Sequence, residues 1–175
     1  EKNKMSIFTR FKDIVNSNIN SLLDKAEDHE KMLRLMIGEM EDTVIDLKTT
    51  TAARMAEAIR SEQKVDEAKA TVDRWQARAE LAIEKGKDDL AREALMEKKH
   101  AQETYERALE NISSLKKSIE EGKEEIRTLE DKIKAAKAKL TTLQREQERA
   151  QERRDSSVNL NARFEEMENR INRMN

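Results

Sequence analysis

From Tyr105 to Ala150 the apolar and small residues recur in alternating steps of three and four: Tyr105, Ala108, Ile112, Leu115, Ile119, Gly122, Ile126, Leu129, Ile133, Ala136, Leu140, Leu143, Gln147 and Ala150. Such steps average 3.5 residues, the period at which an α-helix keeps one seam turned toward a partner helix. A strand needs period two, and a disordered segment keeps no register. This stretch is therefore committed to a long helix that pairs. Composition agrees. Charged residues make up 41% of the chain and hydrophobic residues 36%, so one compact ball would lack the apolar surface to fill its centre. Proline is absent and glycine occurs three times, which leaves few natural breakers.

A second seam precedes the first. It runs from a cap at Asp28 to about Lys85 through Met40, Val44, Leu47, Thr51, Met55, Ala58, Val65, Ala68, Val72, Trp75, Ala79 and Ala82, with Glu62 filling the gap between Ala58 and Val65. Gly38 lies inside this helix and costs about 1 kcal/mol against alanine. Between the seams, Glu84-Lys85-Gly86-Lys87-Asp88-Asp89 reads as a reversal. Gly86 can adopt the left-handed cap that ends a helix, and Asp88 or Asp89 can cap the next one. So short a connection makes the two helices antiparallel neighbours, each arm roughly 85–100 Å long at 1.5 Å per residue. Gly122 falls on the seam, where it permits a close approach or a bend.

Two shorter pieces flank this hairpin. On a helical wheel, Ile7, Phe8, Phe11, Ile14, Val15, Ile19, Leu22 and Leu23 gather on one half, with Asn18 the polar intrusion. Arg10 and Lys12 sit at the borders, where their stems can lie on apolar surface while the charges reach water or phosphate. A helix over 5–24 of this kind suits a membrane interface. Docking on the rest of the protein or on another copy is the competing reading. At the other end, Asp155-Ser156-Ser157 suits a break or hinge, and Asn159 or Asn161 a new cap. An apolar stripe then follows through Leu160, Phe164, Met167, Ile171 and Met174. A short helix with such a stripe needs a partner, since isolated helices of this length are marginal in water. The expected organisation is thus an amphipathic membrane-binding helix over 5–24, a coiled-coil hairpin over 25–154 with its turn near 84–88, and a hinge with an assembly helix over 155–175. Residues 1–4 precede a possible start at Met5 and take no part in this reading.

The residues offer little to catalysis. There is no cysteine, and the two histidines, His29 and His100, lie far apart in charged surroundings, which speaks against a structural zinc site. Gly86-Lys87 and Gly122-Lys123 lack the frame of a phosphate loop. A two-helix hairpin offers no deep pocket in which to shift a carboxylate pKa. Trp75 reads as a wide seam residue, with docking of a partner as the alternative. The 35 basic and 37 acidic residues interleave, so no broad basic field faces a nucleic acid. No apolar run approaches the roughly 20 residues that span a bilayer. The N-terminal apolar residues are spaced, which argues against a secretory signal. The expectation is a non-enzyme with no cofactor, no metal and no direct contact with nucleic acid.

Four segments carry a resemblance. Met5-Ser6-Ile7-Phe8-Thr9-Arg10-Phe11-Lys12-Asp13-Ile14-Val15 resembles the first helix of the family of phage shock protein A and the vesicle-inducing protein in plastids, with Ser6 where glycine is common. Arg34-Leu35-Met36-Ile37 followed by Glu39-Met40-Glu41-Asp42 is similar to the family, with Gly38 where glutamine is usual. Asp88 to Leu95, after the turn, is a third match. Ala162-Arg163-Phe164-Glu165-Glu166-Met167-Glu168 is the fourth, with Glu166 where an arginine is often found, which puts any contact of that arginine in question. The resemblance spans Met5 to Asn175, and over Asn16 to Asp28 it lies nearer the bacterial branch.

The resemblance implies an all-α, ESCRT-III-like fold: a long antiparallel coiled-coil helical hairpin with an N-terminal amphipathic helix and a further C-terminal helix. It implies a peripheral protein of the bacterial cytoplasm and the cytoplasmic face of the inner membrane. Such a protein polymerises into rods or other large homo-oligomers, binds anionic lipid, and stabilises or remodels stressed membranes. It also implies inhibition of an AAA+ transcription activator that works with an alternative sigma factor, with inner-membrane stress sensors as further partners. Ile7, Phe8, Arg10, Phe11, Lys12, Ile14, Val15, Ile19, Leu22 and Leu23 are then the membrane-binding set, and Leu160, Phe164, Met167, Ile171 and Met174 the assembly set. Members commonly continue into one more C-terminal helix. The alternative from the residues alone is a soluble regulatory or structural coiled coil without membrane remodelling.

Overall fold

The computed structural model describes residues Asn18 to Met174. Among these the regular structure is wholly helical: α1 (Ile19–Asp24), α2 (His29–Glu84) and α3 (Asp88–Arg173). The two long helices pack as an antiparallel hairpin, the all-α architecture that the two seams predict.

Local chemistry sets the ends. Asp28 caps α2, its Oδ1 accepting the Lys31 N–H at 3.1 Å. At the reversal Gly86 takes a φ of 69°, the left-handed region open to glycine. The Gly86 N–H donates to the Ile83 carbonyl at 3.0 Å and the Lys87 N–H to the Ala82 carbonyl at 2.8 Å, which closes α2 with a Schellman cap. Asp88 and Asp89 lie inside the first turn of α3, not at its cap; there their charges still favour the positive helix end.

One seam of buried and half-buried positions runs the length of α2 in steps of three and four: Leu33, Ile37, Met40, Val44, Leu47, Thr51, Arg54, Ala58, Ser61, Val65, Ala68, Val72, Trp75, Ala79 and Ala82, with Met36 buried beside it. This corrects the expected seam at two places. Met55 is 45% exposed and Arg54 takes the inner position. Glu62 points outward and Ser61 is buried at 6% exposure. Along α3 the same rhythm covers Ala91, Ala94, Lys98, Ala101 and Tyr105, and continues to Leu143.

The chain divides into two units, residues up to Thr43 with those from Leu129 onward, and Val44–Thr128. In the first, Leu33, Met40 and Leu129 are the most completely enclosed large side chains, joined by Leu23, Met36, Ile37 and Ala136. Enclosing a Leu or Met side chain stabilises by about 1.5–3 kcal/mol. Lys137 Nζ meets Glu41 Oε1 at 3.1 Å, and Gln144 Nε2 donates to Glu30 Oε1 at 3.5 Å. In the second unit Ala58, Ile112 and Ile119 form a cluster flanked by Val65 and Leu115. Lys116 Nζ lies 3.0 Å from Glu62 Oε1, and Lys98 Nζ donates to Gln76 Oε1 at 2.7 Å. The exposed ion pairs Lys116–Glu62 and Lys137–Glu41 contribute about 0–1 kcal/mol each, so they select register more than they stabilise. A Cβ on Gly122 would stand 2.6 Å from the Thr51 Oγ1, so this glycine marks the close approach of the two helices.

The break expected at Asp155-Ser156-Ser157 is absent, and with it any cap at Asn159 or Asn161. α3 runs through all five positions. No glycine or proline lies between Gly122 and the last residue, and serine costs only about 0.5 kcal/mol in a helix. The Gln151 side-chain amide donates to Asp155 Oδ1 at 3.1 Å, bridging one turn across the junction.

Candidate functional site

The end of α3 differs in kind from the rest of the helix. Gln144 is the last residue of α3 with a described cross-helix hydrogen bond, to Glu30 beside the start of α2. Every residue from Arg145 to Met174 is exposed. The seam positions Gln147 and Ala150, which continue the sequence pattern, therefore have no cover among the described residues. The stripe Leu160, Phe164, Met167, Ile171 and Met174 keeps the three-four spacing on this uncovered stretch. Phe164 is 72% and Met174 88% exposed. Lone exposed apolar residues are ordinary, whereas five in one helical register form a patch of the sort that marks an interaction site.

The charges beside the stripe are sorted. In heptad terms Leu160, Met167 and Met174 are d positions and Phe164 and Ile171 are a positions. Arg163 and Arg170 then occupy the g border, and Glu168 the e border. Helices paired in the same direction bring g of one against e of the other, setting Arg163 against Glu168 of the second copy. Reversed helices bring arginine against arginine. Within the chain Arg170 reaches Glu166 at 3.5 Å, an exposed i,i+4 pair.

The N-terminal candidates divide at Asn18. Ile7, Phe8, Arg10, Phe11, Lys12, Ile14 and Val15 lie outside the described residues. Asn18 is extended, with φ of −73° and ψ of 125°, and its side chain accepts the Asn20 N–H at 3.1 Å. The polar intrusion on the wheel is therefore a cap: α1 begins at Ile19, and the part of the expected 5–24 helix before Asn18 lies outside the described residues. Sequence periodicity could have shown this, because asparagine between apolar turns is a preferred N-cap. Ile19 and Leu22 are half-buried and Leu23 is 2% exposed, so Leu23 is covered by protein in this arrangement.

Near the reversal, Trp75, Leu81, Ala82, Leu90 and Ala94 line an open groove of about 570 Å³. The Arg78 guanidinium stands 4.6 Å from the Trp75 ring centroid, a cation–π contact. Trp75 holds the wide seam position expected of it and also lines this groove. Among the described residues no group of histidine, cysteine, aspartate or glutamate is placed to hold a metal ion. No helix among them is long and apolar enough to cross a membrane.

Against known proteins, residues 6–175 match the model of the PspA/IM30 family. The membrane-associated protein Vipp1 of Nostoc punctiforme is 42% identical over 100 residues, covering 57% of this chain and 39% of the relative. The phage shock protein A homolog of Bacillus subtilis is 40% identical over 94 residues, covering 54% of this chain and 41% of the relative. The chloroplastic membrane-associated protein VIPP1 of Oryza sativa is 37% identical over 113 residues, 65% of this chain and 33% of the relative. The matched segments thus span about two fifths or less of each of these relatives. With a family match over nearly its whole length, the chain belongs to the PspA/IM30 family.

Proposed function

We propose that this chain is a peripheral membrane-binding protein that self-assembles into rods or other large polymers and supports or remodels stressed membranes. The observation that carries the reading is the uncovered stripe at the end of α3, an apolar surface with no partner among the described residues. A second copy is the occupant its borders favour, because parallel copies set Arg163 against Glu168. The names of the relatives, two of them membrane-associated proteins, support the membrane half. That half rests on the 5–24 segment. Phe8, Phe11 and neighbouring aliphatic residues enter the head-group region, at about 25 cal/mol per Å² of apolar surface buried. Arg10 and Lys12 meet anionic head groups, and many weakly bound segments on one polymer act together by avidity. Buried Leu23 and half-buried Ile19 and Leu22 tie the end of that segment to the folded part, which leaves residues 5–17 as the inserting portion. The protein works by assembly and binding, not catalysis, at the cytoplasmic face of a bacterial inner membrane.

Negative-stain electron microscopy, with and without vesicles rich in anionic lipid, tests the reading. Rods or rings that coat or reshape the vesicles support it. Small uniform particles beside untouched vesicles favour a soluble coiled coil. The family resemblance adds a regulatory arm, in which the 25–154 hairpin holds an AAA+ transcription activator and inner-membrane stress sensors release it. Capture of that activator from a bacterial extract by immobilised protein tests this arm separately, and failure leaves the membrane reading standing.

A further inference from the structure

The eight methionines of the chain are not equivalent. Met36 and Met40 are sealed in the core of their unit, Met40 with no exposed surface. Met167 and Met174 lie seven residues apart on the uncovered stripe, 63% and 88% exposed. Met55 and Met96 are also exposed but lie on the hairpin, away from the stripe. Thioether oxidation follows access, so an oxidant reaches the stripe sulfurs and spares the core ones.

We propose that Met167 and Met174 are a reversible oxidation site that disables self-association through the stripe; this rests on the assembly reading above. A peroxide transfers one oxygen atom to each thioether sulfur. The O–O bond breaks, an S–O bond forms, sulfur gives up two electrons and the peroxide leaves as water. The product is a sulfoxide, a strong hydrogen-bond acceptor set in the middle of an apolar surface. Neighbouring stripe residues Leu160, Phe164 and Ile171 offer it no donor, so closing the interface over it strips its water without replacement. A dithiol-driven reductase reverses the step, supplying two electrons and two protons, releasing the oxygen as water and leaving a disulfide on the reductant. The hairpin keeps its fold throughout, because its core methionines Met36 and Met40 are enclosed and Met55 and Met96 lie on its exposed surface, where a sulfoxide keeps its water. Oxidation therefore acts on the free subunit and lowers the supply of assembly-competent chains.

The test treats the full chain with dilute hydrogen peroxide, maps the sulfoxides by peptide mass, and follows self-association by light scattering. Met167 and Met174 are expected to oxidise well before Met36 and Met40, and the association constant to fall about tenfold or more. Methionine sulfoxide reductases with dithiothreitol are expected to restore it. The M55L/M96L chain should show the same loss, because its changes lie outside the stripe. The M167L/M174L chain should show after peroxide the association it had before, each chain being its own reference. Equal peroxide sensitivity in M167L/M174L would overturn the proposal, as would unchanged association of the natural chain with both stripe sulfurs oxidised. If the untreated natural chain does not associate at all, the assembly reading itself fails and the oxidation site falls with it.

Discussion

The three glycines show how one residue type carries three different meanings. Gly86 sits at a φ of 69°, where a Cβ would be strained. Gly38 is exposed in mid-helix and an added Cβ would meet nothing within 4 Å. Gly122 faces Thr51, and a Cβ there would stand 2.6 Å from its Oγ1. Alanine gains about 1 kcal/mol of helix propensity over glycine at either helical site. Gly38→Ala should therefore stabilise by about 0.5–1 kcal/mol. Gly122→Ala should destabilise by about 1–2 kcal/mol net, because overpacking costs more than propensity returns. Thermal denaturation followed by circular dichroism reads both. Adding Thr51→Ala to Gly122→Ala should recover most of the loss, since the pair shares one contact. The turn glycine is legible from its charged, reversing context. The contrast between Gly38 and Gly122 is less so: the seam places Gly122 inside, but only the opposite helix shows what it meets.

At the scale of the helices, α3 does two jobs along one uninterrupted element. Up to Leu143 it packs on α2, and from Arg145 it is uncovered. Leu129→Ala should cost about 2–5 kcal/mol of stability, because Leu129 is wholly enclosed. Phe164→Ala should leave the unfolding midpoint of dilute protein nearly unchanged, because Phe164 is mostly exposed. The paired change F164E/I171E should abolish self-association in light scattering while the helical signal persists. A melting loss equal to that of Leu129→Ala would show the stripe to be core. Apolar letters alone point to Met55 for the seam of α2 and leave Glu62 to fill the gap between Ala58 and Val65. The helix uses Arg54 and Ser61, because a strict heptad tolerates a small hydroxyl or a long aliphatic stem inside better than a break in register.

For the whole molecule the consequential coupling is between lipid binding and assembly. One amphipathic segment binds modestly, and many on one polymer bind by avidity. The double variant R10E/K12E should weaken binding to anionic vesicles in flotation assays by about tenfold or more and reduce its salt dependence. Binding to neutral vesicles should change little. Equal loss on both vesicle types would point to a folding role for these residues, and no loss on either to apolar insertion alone. F164E/I171E should lower vesicle binding as well, through lost avidity, though it leaves residues 5–24 untouched.

Periodicity, composition and turn chemistry by themselves determined the all-α hairpin, the place of its reversal at Gly86, the cap at Asp28 and the central part of both seams, though not their ends at Leu33 and Ile37 or at Ala91 to Ala101. These depend on spacing within a few residues, where helix geometry makes the code local. The continuity of α3 through Asp155-Ser156-Ser157 was not readable in that way. A polar cluster without glycine or proline weakens a helix without ending it, and the neighbouring turns decide. Nor could spacing show where the seam of α3 ceases to be covered. Leu143 and Gln147 look alike as successive steps of one pattern, yet burial of either requires a partner helix at the same level. That partner begins only at His29. The stripe became a candidate surface through this tertiary fact: its apolar residues were legible, and their lack of cover among the described residues follows from where the opposing helix begins.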